Sequence, residues 1–150
     1  MTAFTHRNLP RLLLEAREAV MAHFRPNLRV HGLTDQQWRV LRVLGERGAA
    51  DTGTIASQAY LLGPSLTGVL LRMERDGLVS RSRDPQDARR TQVKATPKGK
   101  GLVKKLSDSI ELHYAAMELA LGKAQLVQLY ALLDAVIAID SNPMPQENTP

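Results

Sequence analysis

Between positions 62 and 96 the chain reads LGPSLTGVLLRMERDGLVSRSRDPQDARRTQVKAT, which sets small residues and then arginines in an order suited to duplex DNA. Pro64, Ser65, Thr67 and Gly68 stand at the start of a helical segment, where free backbone N–H groups and small side chains can touch phosphates and base edges. Arg72 follows at i+7 from Ser65, about two turns on, within reach of a guanine or of Asp87. Arg83, Arg89 and Arg90 surround an Asp-Pro turn, and arginines on such a loop can enter a narrow minor groove. Asp87 among them would repel phosphate, so its expected task is to orient Arg89 or Arg72. The bland alternative is an amphipathic surface helix followed by an ordinary hairpin.

These groups need a scaffold, and the apolar spacing supplies one. Leu66, Val69, Leu70 and Met73 recur at helical intervals, Gly77 can take the left-handed cap, and Leu78 and Val79 resume as a strand. Before them Asp51 can cap a short helix with Ile55, Ala56 and Ala59 inside. Two short helices and a basic hairpin make a winged helix-turn-helix. Thr34 and Gln37 form a capping-box pattern ahead of Trp38, Val40, Leu41 and Leu44, with Gly48 just past the end. Residues before Leu9 are expected to be loose; a stripe from Leu9 to Phe24 predicts a helix that Pro26 should end or kink. Thr96 and Pro97 open a long helix striped by Leu102, Val103, Leu106, Ile110, Tyr114 and Met117. Gly122 interrupts it, and Leu126, Leu129, Leu132, Leu133, Val136 and Ile137 stripe a last helix.

The predicted fold is therefore mainly α with a small β-wing: a DNA-binding lobe over 33–96, dimerisation helices over 1–32 and 97–140, and a disordered, proline-containing tail over 141–150. The terminal helices carry more apolar stripe than one lobe can bury, which implies packing against a second copy. A two-fold dimer would set two recognition helices in successive major grooves, about 34 Å apart. An intramolecular bundle is the alternative.

Charge is distributed to match. The chain of 150 residues carries a formal +5, yet Arg72 to Lys105 holds eleven Lys or Arg against four acids, and Leu106 to Pro150 one Lys against six acids. The positive charge is a patch. Without cysteine there are no disulfides, thiolate metal sites or thiol switches. No secretion signal or membrane-spanning run is visible, so a cytoplasmic setting is the expectation. The four histidines are scattered, and His23 and His31 straddle a proline at a spacing poorly suited to a metal. No HExxH, GxSxG, P-loop or Rossmann pattern occurs, so neither an enzyme nor a cofactor or metal site is expected. An RNA-binding module is disfavoured because the basic stretch lacks aromatic stacking residues.

In order and at the right separations, LTDQQWRVLRVL, PSLTGVLLRMERDGLVSR, DARRTQVKAT and PKGKGL resemble the MarR family of winged helix-turn-helix transcriptional regulators over about Leu12 to Ile139. FRP and GPSLTG are most similar to the subgroup that represses aromatic-acid catabolism, typified by the homoprotocatechuate-degradation operon regulator. DARR satisfies the DxR form of the family's wing but not its DRR form, and Gly63 stands where many members carry a basic or polar residue. The resemblance implies a homodimeric repressor on a palindromic operator, released by a small aromatic acid held beside the DNA-binding lobe. Arg17, Phe24, Trp38, Arg39 and Arg42 would hold that acid, arginine taking the carboxylate and an aromatic face the ring. The alternative is a dimeric nucleic-acid-binding regulator without an effector.

Overall fold

A computed structural model describes residues 3–139. In chain order the elements are α1 (Leu9–Val30), α2 (Asp35–Arg47), β1 (Ala49–Asp51), α3 (Thr52–Ala59), α4 (Gly63–Arg75), β2 (Val79–Arg83), β3 (Thr91–Ala95), α5 (Pro97–Leu121) and α6 (Lys123–Ile137). The fold is mainly helical with one small antiparallel sheet in the order β1-β3-β2. Two compact units divide between His113 and Tyr114. Among the described residues no single helix is long and apolar enough to cross a membrane.

Local signals start and stop the elements of the first unit. Thr34 accepts from the Gln37 N–H while Gln37 accepts from the Thr34 N–H, a complete capping box on α2. Thr96 accepts from the Gly99 N–H at the start of α5, next to Pro97. At the end of α4, Gly77 turns left-handed at φ +72°, and the Leu78 N–H reaches the Met73 carbonyl, closing a Schellman cap. That reversal sends the chain directly into β2. Leu28, Leu41, Leu44, Ile55, Leu70, Met73, Val93 and Leu106 are almost wholly buried and draw α1, α2, α3, α4, β3 and α5 into one core. Truncating any of the leucines to alanine should cost about 2–5 kcal/mol.

Four expectations change. Helix α1 does not end at Pro26 but runs on to Val30, which leaves a kink as the other expected effect. Proline removes one N–H from the ladder, but Phe24 and Leu28 are buried on either side of it, and the Leu28 carbonyl is tied by the N–H groups of His31 and Leu33. Asn8, expected to be loose, caps α1 through its bond from the Arg11 N–H. Trp38 is only half-buried, and Gln37 and Val43 sit inside with the expected Val40, Leu41 and Leu44. Last, Ala49–Asp51 form an unforeseen strand pairing Ala50 with Val93. The expected tail over 141–150 lies outside the described residues.

In the second unit, Gly122 breaks the helix at φ +93°, as its position suggested. Within α6 only Leu126 is buried; Val127, Leu129, Tyr130, Leu132, Val136 and Ile137 are exposed in the single chain.

Candidate nucleic-acid interface

Helix α4 is held from behind by Leu66, Val69, Leu70 and Met73, all buried. Its rotation is therefore fixed, and Pro64, Ser65, Thr67 and Arg72 face outward, with Gly68 partly covered. No side chain caps its start, so the first amides stay available to an outside acceptor. The Thr67 hydroxyl donates to the Gly63 carbonyl at 3.1 Å and keeps its lone pairs outward. The Arg72 guanidinium folds back over Gly68: a Cβ placed there would lie 3.4 Å from Nη1. Arg72 does not meet Asp87, one of the two partners the sequence offered it.

Asp87 works inside the wing. Its carboxylate accepts from the Arg89 N–H at 3.0 Å and stands 3.9 Å from Arg90 Nε, while the Arg90 N–H donates to the Asp87 carbonyl. Asp84 accepts from the Gln86 N–H at 2.9 Å, and that bond, with one from the Gln92 side chain, holds its carboxyl below the usual range. The two aspartates thus curl the loop between β2 and β3 and leave the Arg83, Arg89 and Arg90 side chains exposed. Arg81 pairs with Glu74 at 2.5 Å, tying the base of the wing to α4.

The unforeseen β1 places a further group of residues. Its Asp51 lies opposite Gln92, so the start of α3 sits beside the wing. Between them opens a polar cleft of about 750 Å³ lined by Arg47, Thr52, Thr54, Ser57, Arg89 and Arg90, among others. Arg47 Nε donates to Gln58 Oε1 at 2.8 Å, which extends that guanidinium towards the cleft-lining face of α3. Arg47 and the hydroxyls of α3 were not among the expected contacts. The Thr-Gly-Thr that follows the Asp51 cap was their only trace in the sequence.

Asp51 accepts from the Thr54 N–H at 2.8 Å. That bond, assisted by the Thr54 hydroxyl and the positive charge of Arg90, holds its carboxyl below the usual range. A depressed carboxylate stabilises the fold above its unfolded pKa, and the contribution is lost as pH falls through the folded value. Asp51→Ala should therefore cost about 1 kcal/mol near neutrality. In urea titrations the deficit should close as the pH drops below the carboxylate range; a deficit unchanged by acid would refute the cap.

The residues expected to hold an acid are only partly brought together. Arg17, Trp38, Arg39 and Arg42 line a cleft of about 280 Å³ with Met21, Asp35 and Glu46. Phe24 is elsewhere: it is buried with its ring edge-on to His113, centroids 5.8 Å apart. Arg17 is engaged by Asp35 at 2.7 Å, and Arg39 donates to the Ala59 and Tyr60 carbonyls, closing the end of α3. Arg42 is less committed, with Glu46 at 3.7 Å and both side chains well exposed. Among the described residues no cluster of His, Asp and Glu suited to a metal is found.

The fold and sequence match those of known proteins. A family profile described as the MarR family matches residues 33–91. The homoprotocatechuate degradative operon repressor of Escherichia coli is 41% identical over 145 residues, covering 97% of each chain. Among solved structures, transcriptional regulator PA4135 is 44% identical with TM-score 0.87, covering 90% of this chain and 99% of its own. NadR in complex with 4-hydroxyphenylacetate is 39% identical with TM-score 0.81, covering 93% and 99%.

Proposed function

This chain belongs to the MarR family of transcriptional regulators, and from that premise we propose that it is a dimeric repressor of an aromatic-acid degradation operon, released from a palindromic operator by a small aromatic carboxylate. The observation that carries the DNA contact is the pairing of an outward α4 face of small residues with a wing whose Arg83, Arg89 and Arg90 are exposed. Helix α4 enters the major groove through Pro64, Ser65, Thr67, Gly68 and Arg72, and the wing arginines enter the adjacent minor groove. The strand between the two grooves then runs over the polar cleft, where Arg47 and Ser57 meet phosphates. Asp87 contributes by shaping the loop. The exposed stripe of α6 is covered by a second copy, which supplies the matching half of the reader.

The effector enters the cleft of Arg17, Trp38, Arg39 and Arg42. Arg42 takes the carboxylate and the half-buried Trp38 gives the ring a face, while Arg17 and Arg39 hold the walls. This reading is supported by the 4-hydroxyphenylacetate complex of NadR. Release requires the acid to favour a spacing of the two lobes that no longer fits successive grooves, since equal affinity for both states shifts nothing.

The test is duplex affinity, measured on fragments retained by the purified protein, with and without 4-hydroxyphenylacetate, homoprotocatechuate, hydroxybenzoates and hydroxynicotinates. One of these acids should weaken binding; no change across all of them would leave a regulator without an aromatic-acid effector. Arg42→Ala should raise the releasing concentration at least about tenfold, the loss of one charge-assisted bond, and leave ligand-free duplex affinity unchanged.

A further inference from the structure

We propose that Leu71 is a base-reading residue whose side chain packs on the C5-methyl group of a thymine; this rests on α4 lying in the major groove. Each helical residue turns the direction by about 100°, and the buried set of Leu66, Val69, Leu70 and Met73 fixes which way is inward. The opposite direction falls on Pro64, Gly68, Leu71 and Arg75. Leu71 accordingly keeps 55% of its surface exposed, as a large aliphatic group in the middle of the outward face.

Its surroundings select the occupant. On the same helix its neighbours at three and four residues are Thr67, Gly68, Glu74 and Arg75, which are polar or bare. A protein partner would call for a contiguous apolar area, as α6 provides, and an isolated leucine does not. In a major groove one base substituent is apolar, the thymine methyl. The Arg72 guanidinium lies over Gly68, one turn before Leu71, and Arg72 is the next residue along the helix. An aliphatic group and a bidentate donor side by side match a thymine next to a guanine.

The experiment uses full-length protein and duplexes selected from a random pool. Each thymine is replaced in turn by uracil, which removes only the methyl, and affinity is measured for wild type and Leu71→Ala. At one symmetric position the wild type should lose about fourfold per half-site, the worth of one buried methyl, and Leu71→Ala should lose nothing from the same replacement. Because Leu71 is exposed, the variant should keep the wild-type unfolding midpoint. A flat uracil scan for wild type, or an equal loss in Leu71→Ala, overturns the assignment. Failure of the pool to yield any retained duplex overturns DNA reading itself, and is seen before a thymine is replaced.

Discussion

Replacing Arg89 and Arg90 together by alanine is expected to weaken binding to a retained duplex by about a hundredfold or more, each groove arginine being worth roughly 1–3 kcal/mol. The loss should depend on salt in a diagnostic way. A cation at the DNA surface releases counterions, so removing two should make the slope of log affinity against log salt shallower by about 2. Both side chains are exposed and their loop is shaped chiefly by Asp84 and Asp87, so the unfolding midpoint should hold. Lys123→Ala, which removes one positive charge from α6 outside the wing, serves as a control and should leave affinity and slope alone. Unchanged affinity in the double variant would mean that the wing lies outside the groove.

The second large effect is on stability. Gly99, buried in the first turn of α5, passes so close to the residue before β2 that an added Cβ would lie 2.2 Å from the Leu78 carbonyl oxygen and 3.2 Å from its carbon. Neither atom can retreat cheaply, because the Thr96 N–H donates to that same oxygen at 3.0 Å. Gly99→Ala should therefore cost about 3 kcal/mol, and lower the melting temperature by about 10 °C for a chain of this size. Gly101, two residues on, has open space at its Cβ position. Gly101→Ala should stabilise by about 0.5–1 kcal/mol through helix propensity. Thermal melts of the two variants in opposite directions would separate a steric requirement from a general intolerance of the helix start.

Much of this architecture was legible because caps and stripes are local. Thr34 with Gln37, Asp51 ahead of Thr54, Gly77, and Thr96 beside Pro97 each satisfy backbone groups within a few residues, so their spacing alone identifies them. Helix α4 was legible for the same reason, its four buried positions following one period. What escaped depends on partners distant in sequence. Ala49–Asp51 has no β-branched or aromatic residue to mark a strand and is extended only because it pairs with β3. The polar cleft follows from that pairing and escaped with it. Pro26 carries a strong local stop signal that the tertiary burial of Phe24 and Leu28 overrides. Arg39 looked like a carboxylate clamp, but the αL turn at Tyr60, φ 52°, leaves carbonyls that it satisfies instead.

The exposed stripe of α6 has a consequence for dosage. In the proposed dimer, where a second copy covers the exposed Leu129, Leu132, Val136 and Ile137, protomer concentration would enter both the unfolding equilibrium and operator occupancy. A scarce chain would then lose stability and the second copy's α4 together. While monomer predominates, occupancy would then rise with the square of the amount synthesised, so a modest change in expression would move the operator between empty and filled.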